Sequence, residues 1–124
     1  MSKKIIVAED SSVIQNLTRK ILSQLNYEIT SVKNGQQVLD LMSKGHYDLV
    51  LLDIHMPIMD GMECARAIRA LDSDQKSIPI IAITGNANNY SEKDFENVGI
   101  NAFIPKPLNY DSLVEKVKEY TNDR

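Results

Sequence analysis

What the chain lacks narrows its function before any single residue is weighed. Only one of its 124 residues is cysteine, Cys64. No disulfide framework can form, a reducing intracellular compartment is the natural setting, and Cys64 itself reads as a small buried apolar residue on a helix. No apolar run approaches the roughly 18–20 residues that cross a bilayer. Met1-Ser2-Lys3-Lys4 passes straight into Ile5-Ile6-Val7-Ala8, which is too short for a signal peptide. The expectation is a soluble, cytoplasmic protein with no membrane partner. Basic excess is missing too: 14 Lys and Arg against 17 Asp and Glu give a net charge of −3, and the scattered lysines form no footprint for nucleic acid. Repeats, low-complexity linkers and shifts of composition are absent. The chain is expected to form one domain over residues 1–124, with no output domain, and to bury roughly two thirds of its unfolded surface.

What the chain does have is a stretch that the rest serves, Leu49-Val50-Leu51-Leu52-Asp53-Ile54-His55-Met56-Pro57-Ile58-Met59-Asp60-Gly61. The unbroken apolar run before Asp53 predicts a strand buried on both faces, as in a parallel sheet covered by helices. Pro57 and then Asp60-Gly61 supply turn chemistry. Asp53 is therefore expected at the carboxyl end of a central strand, the edge where open α/β sheets bind ligands.

The other segments alternate around it. Lys4 to Ala8 is a β-branched strand running into Glu9-Asp10. Ser12-Val13-Ile14-Gln15 has the form of a capping box, with Ile14, Leu17, Ile21 and Leu25 following at helical spacing. Glu28 to Val32 is a second strand. Asn34-Gly35 opens a helix with Val38, Leu41 and Met42 on one face, stopping at Gly45. Gly61 to Leu71 is a third helix with Met62, Ala65, Ile68 and Leu71 inward, and Asp72-Ser73-Asp74-Gln75 is a polar loop. Ile78 to Ile83 is a strand with Pro79 at its beginning, and it ends in Thr84-Gly85. Ser91-Glu92-Lys93-Asp94 caps a fourth helix whose apolar content, Phe95 and Val98, is thin, so this helix should be the least firmly anchored. Ala102-Phe103-Ile104 ends in Pro105-Lys106-Pro107, and Asn109 caps a last helix carrying Tyr110, Leu113, Val114 and Val117. This alternation predicts a single doubly wound, flavodoxin-like (βα)5 domain with parallel strand order 2-1-3-4-5.

In that fold the ends of strands one, three, four and five deliver Glu9-Asp10, Asp53, Thr84 and Lys106 to one edge. Crowded carboxylates repel each other, and a hard divalent cation, Mg²⁺, is the economical way to keep them ionised. A carboxylate beside Mg²⁺, with a lysine and a hydroxyl nearby, is set up to attack phosphorus. Asp53 is then the nucleophile that forms an acyl phosphate, Lys106 offsets phosphoryl charge, and Thr84 donates to a phosphoryl oxygen.

In these motifs the chain resembles the receiver domains of two-component response regulators, in the single-domain, chemotaxis-regulator style, along essentially its whole length. Glu9-Asp10, the stretch around Asp53, Ile83-Thr84-Gly85 and Lys106-Pro107 carry the resemblance by their order and spacing. It implies that Asp53 accepts a phosphoryl group from a sensor histidine kinase or a histidine phosphotransfer protein, in a self-catalysed reaction rather than as a conventional enzyme. It implies Mg²⁺ held by Asp10, Asp53 and the backbone carbonyl of His55, with Glu9 acting through a water. It also implies a cis Lys106-Pro107 peptide, a switch made of Thr84 and Phe103, and tuning of dephosphorylation by His55 and Asn86. The face made by helix four, strand five and helix five would then control a downstream protein target. The family often has two aspartates where Glu9-Asp10 stands, and usually a tyrosine or phenylalanine at the position of Phe103, whose ring has no hydroxyl to offer a partner. The expected state is a monomer, with dimerisation on phosphorylation left open.

Duller readings exist for each residue alone. Asp53 could end a strand, Glu9-Asp10 could favour a helix N-terminus, Thr84 could be a strand-end hydroxyl and Lys106 a solvated lysine. Their conjunction at separate strand ends decides against these readings. His46 reads as a surface residue. With His55 as the only other histidine, a transition-metal site is not indicated. Met56, Met59 and Met62 read first as packing and second as a docking surface. The alternatives are a receiver cut from a hybrid histidine kinase, a receiver fold that is never phosphorylated, a Mg²⁺-dependent aspartyl phosphohydrolase, and a flavin binder. The phosphohydrolase would want an acid two positions past Asp53, where His55 stands, and the flavin binder would want a phosphate-cradling loop where Glu9-Asp10 would repel phosphate.

Overall fold

Short β-branched and leucine-rich runs build the sheet. In the computed structural model, which describes residues 3–85 and 90–121, β1 (Lys4–Ala8), β2 (Glu28–Val32), β3 (Leu49–Asp53), β4 (Ile80–Thr84) and β5 (Ala102–Pro105) alternate with α1 (Ser12–Ser23), α2 (Gly35–Met42), α3 (Gly61–Arg69), α4 (Glu92–Asn97) and α5 (Tyr110–Thr121). All strands are parallel, in the order β2-β1-β3-β4-β5. The expected flavodoxin-like (βα)5 architecture is the one observed.

Alternate residues of each strand serve opposite layers, because successive side chains point to opposite faces. Ile6, Ala8, Val50, Leu52 and Ala82 pack with Val38, Met42, Cys64, Ala65, Ile68 and Phe95, under α2, α3 and α4. Ile5, Val7, Leu49, Leu51 and Ile83 pack with Leu22, Leu113 and Val117, under α1 and α5. Every residue of β3 and β4 is buried, as continuous apolar strands require. Cys64 is fully buried, and burial, helped by the charge of Asp60, pushes its thiol up to about 12, so it is an inert core residue.

Several expected boundaries move. α1 is capped by Ser11, not Ser12: the Ser11 side chain accepts from the Ile14 backbone N–H at 3.4 Å. Gln15 closes no capping box. Its amide instead donates to the carbonyls of Glu9 (3.1 Å) and Val32 (2.9 Å), tying the ends of β1 and β2 together. The inward stripe of α1 is also displaced. A 3.6-residue period permits either i+3 or i+4 after Ile14, and the i+4 residue, Thr18, faces the sheet with Leu22, while Leu17 is 45% exposed. α2 ends at Met42, before the expected stop at Gly45, α3 ends at Arg69, before Leu71, and part of the polar loop after α3 winds into a 3₁₀ turn, Asp74–Ser77. α4 is a single short helix closed by a Ser91–Asp94 capping box.

The Asp53 loop is held by close backbone approach. Asp60 and Glu63 form a capping box on α3 (2.9 and 3.2 Å), and the Gly61 N–H donates to the Ile54 carbonyl at 2.9 Å. A Cβ on Gly61 would lie 2.6 Å from the Asp53 carbonyl oxygen. Between them the Met59 N–H donates to the Pro57 carbonyl at 2.7 Å across Ile58, whose φ of 69° is strained for a β-branched residue. Met56 and Met62 are buried and Met59 packs against the same core, so the packing reading of the methionines holds.

Candidate functional site

The parallel register sets the site. β1 pairs Ala8 with Leu52, β3 pairs Asp53 with Ile83, and β4 pairs Thr84 with Pro105, so Glu9, Asp53, Thr84 and Lys106 leave neighbouring strands at one edge. Asp53 is the last residue of β3 and Thr84 the last of β4, and each is 1% exposed. Glu9 is wholly buried, whereas Asp10 is exposed.

Lys106 bridges the two buried acids. Its Nζ lies 3.3 Å from Asp53 Oδ2 and 3.3 Å from Glu9 Oε1. Asp53 Oδ1 accepts from the His55 backbone N–H at 3.2 Å, and Glu9 Oε2 accepts from the Ser11 N–H at 3.1 Å. Carboxylate oxygens of Glu9, Asp10 and Asp53 lie within 4.8 Å of one another. Burial, and then the hydrogen bond and charge of Asp53, push the Glu9 carboxyl up to about 7 against the opposing pull of Ser11 and Lys106. For Lys106, burial alone would lower the ammonium, but the charges of Asp53 and Glu9 outweigh it and hold the group above its ordinary value.

Four buried side-chain oxygens have no hydrogen-bond partner among the described residues, Thr18 Oγ1 and Ser31 Oγ and, at this edge, Glu9 Oε1 and Thr84 Oγ1. The contact between Glu9 Oε1 and Lys106 is thus ionic without hydrogen-bond alignment. Unsatisfied buried polar atoms cost about 1–3 kcal/mol each, so a hydrogen-bonding group brought to this edge would relieve Glu9 and Thr84. Three converging carboxylates are hard oxygen donors of the kind that suit Mg²⁺, so the residues present fit that ion.

The structure therefore gathers Glu9, Asp10, Asp53 and Lys106 directly and sets Thr84 on the adjacent strand end. The side chain of His55 is exposed, and its backbone is what touches Asp53. Phe103 pairs with Ala82 and packs at 5.3 Å against Phe95 in the layer under α4. The Lys106-Pro107 peptide is cis, as expected. Asn86 lies outside the described residues. Gln15 was assigned only a capping role from sequence, yet it positions the strand end that bears Glu9. The only hint was a long amide placed just after an acidic turn.

Residues 5–118 match the family model described as the response regulator receiver domain. The polar-differentiation response regulator DivK of Brucella ovis is 31% identical over 123 residues, 99% of each chain. Hybrid signal transduction histidine kinase I of Dictyostelium discoideum is 35% identical over 121 residues, 93% of this chain, which spans only 7% of that protein's length. Among solved structures, the receiver domain of sensor histidine kinase PA1611 of Pseudomonas aeruginosa, crystallised with magnesium coordinated in its active site cleft, superposes with a TM-score of 0.89 at 28% identity, covering 99% of this chain and 100% of that one. With this fold, these strand-end residues and these likenesses, the chain belongs to the response regulator receiver domain family of two-component signalling.

Proposed function

We propose that residues 1–124 act as one receiver unit that takes a phosphoryl group onto Asp53. The observation that carries this reading is the Lys106 ammonium 3.3 Å from both Asp53 and Glu9, beside a buried, unpartnered Thr84 hydroxyl. An Asp53 carboxylate oxygen attacks the phosphorus of a phosphohistidine, the new O–P bond forms as the P–N bond breaks, and the imidazole nitrogen leaves with a proton taken from solvent. Lys106 is positioned to stabilise negative charge on the transferring group, and the His55 backbone N–H holds Asp53 in place. Mg²⁺, when bound by Asp10, Asp53 and the His55 carbonyl, with Glu9 acting through a water, would neutralise phosphoryl charge. Glu9, wholly buried beside Lys106, shapes that site from behind.

The phosphoryl group brings about −1.5 to −2 charges and three strong acceptors. The Thr84 hydroxyl then gains the partner it lacks, and Phe103, on the strand beside it, follows, altering the face of α4, β5 and α5 for a protein target. The donor is a sensor kinase or a phosphotransfer protein. A phosphohydrolase reading gains nothing, since His55 meets Asp53 only through its backbone.

Intact mass after incubation with Mg²⁺ and acetyl phosphate tests the proposal. Wild type is expected to gain one phosphoryl group that is stable in acid and lost in base, and Asp53→Asn none. No gain in wild type with either acetyl phosphate or a phosphohistidine donor would overturn it.

A further inference from the structure

Of the three carboxylates at the site, Asp10 is the one whose side chain is not gripped directly. Asp53 is held by the His55 N–H and Lys106, and Glu9 by the Ser11 N–H and Lys106. Asp10 is exposed, and among the described residues no hydrogen bond or ion pair reaches its side chain. Its place is therefore set by the backbone that carries it, the peptide between Glu9 and Asp10. That peptide is fixed from α1. Side chains near the start of a helix lean back toward its N-terminus, and half-buried Gln15 uses its two amide hydrogens there, donating to the Glu9 carbonyl at 3.1 Å and the Val32 carbonyl at 2.9 Å. The Val32 carbonyl also accepts from the Glu9 N–H at 3.0 Å. One carboxamide thus binds the peptide that bears Asp10 to the end of β2.

The plain role for such a bond is to satisfy carbonyls that strand pairing leaves over, since β1 and β2 pair no further than Ala8 and Val32. The position of the bond gives it a second one. Groups that orient a metal ligand without touching the metal change affinity by about 10–100-fold when they are removed. Mg²⁺ demands near-octahedral oxygens at about 2.0–2.1 Å, whereas Ca²⁺ accepts six to eight oxygens in a looser arrangement. A ligand that drifts with its backbone is therefore penalised more by Mg²⁺ than by Ca²⁺. Resting on the Mg²⁺ site read above, we propose that Gln15 is a positioning residue for the metal. By holding the Glu9-Asp10 peptide against β2 it sets the Asp10 carboxylate where oxygens of Glu9, Asp10 and Asp53 lie within 4.8 Å of one another, and it biases the site toward Mg²⁺ over Ca²⁺.

The test is a titration of the ¹⁵N-labelled full chain with Mg²⁺ and, separately, with Ca²⁺, following the backbone amides of Asp10, Asp53 and His55. Gln15→Met keeps an unbranched side chain of similar length and helix propensity but offers no donor. It is expected to bind Mg²⁺ about tenfold more weakly than wild type and to lose no more than about twofold in Ca²⁺ affinity. Gln15→Glu sets an acceptor against the same two carbonyls and adds a negative charge, which by itself would favour a cation. It too is expected to bind Mg²⁺ more weakly than wild type, because position outweighs charge. The amide spectrum away from the ends of β1 and β2 reports that each variant is folded. Mg²⁺ binding by Gln15→Met as tight as in wild type, a Ca²⁺ affinity that falls as far as the Mg²⁺ affinity, or Mg²⁺ binding by Gln15→Glu as tight as or tighter than in wild type would each overturn the inference and leave the Mg²⁺ site standing. A wild type whose amides do not respond to Mg²⁺ would overturn the site and the inference together.

Discussion

Lys106 sets two buried carboxylates at ease with each other. Without it, Asp53 and Glu9 would face one another across a buried site with no cation from the chain, since Nζ is 3.3 Å from each. The role proposed for it toward an incoming phosphoryl group is electrostatic, and preorganised charges of this kind are worth roughly 10²–10³ in rate where they have been removed from other sites. Lys106→Met should therefore slow phosphoryl gain from acetyl phosphate by at least about tenfold, read by time-resolved intact mass. Asp53→Asn should abolish it. A Lys106→Met variant as fast as wild type would show that the ammonium only neutralises the resting site. Lys106 and Asp53 were legible in the sequence because each ends or follows a short apolar run, where a charge has no business unless the strand edge uses it. Gln15 was not, because a glutamine at the fourth position of a helix says nothing about which carbonyls it will reach. Its acceptors, Glu9 and Val32, come from two different strands.

At the scale of elements, α3 is placed by contact too close for any side chain but hydrogen. The Gly61 Cα side faces the Asp53 carbonyl and Ile54 Cα, and a built Cβ would sit 2.6 and 2.8 Å from them. Both are backbone atoms, so nothing can swing aside, and a methyl there must push the helix start away from the strand that carries Asp53. Gly61→Ala is expected to cost about 1–3 kcal/mol in urea unfolding, the usual range for overpacking a tight site. Gly45→Ala is the control: its nearest neighbour would be Tyr47 at 3.8 Å, an ordinary contact. That change should stay within about 0.5 kcal/mol of wild type. Equal effects from the two substitutions would refute the close-approach argument. Asp60-Gly61 was read from sequence as a turn, which located the bend correctly. That the aspartate caps a helix and the glycine seats it against β3 depends on a contact distant in the sequence. Strands were legible for the opposite reason, because buried parallel strands write themselves as uninterrupted apolar runs. Helix faces were less so, since in α1 a threonine rather than a leucine turned out to face the sheet.

At the scale of the molecule, the edge opposite the acidic site is tied by Arg69. From the end of α3 its guanidinium donates to the carbonyls of Lys76 and Ile78 at 2.7 Å, to Asn101 Oδ1 at 3.0 Å, and through Nε to the Gly99 carbonyl at 3.0 Å. Asn101 Oδ1 also accepts from the Ile80 N–H at 2.8 Å, and the Tyr120 hydroxyl donates to the Asn101 carbonyl at 3.2 Å. One side chain thus joins α3, the entry to β4, the turn between α4 and β5 and, through Asn101, α5. Gly99 permits this by its positive φ of 85° and by having no Cβ, which would lie 2.5 Å from Arg69 Nε. A flat fork with five donors suits several carbonyls at once, and an ammonium does not. Arg69→Met leaves those carbonyls without their donor, at a cost of about 2–3 kcal/mol in urea unfolding, and Arg69→Lys should recover less than half of it. Because the fork holds the α4–β5 turn, the loss should also appear as faster amide exchange at Asn101 and Phe103 than at β1, whose strand it does not touch. Uniform acceleration across the sheet would mean that Arg69 contributes only to global stability. Acceleration confined to the turn and β5 would mean that the segment read as the switch is held at one end by Arg69 while its other end answers to Thr84.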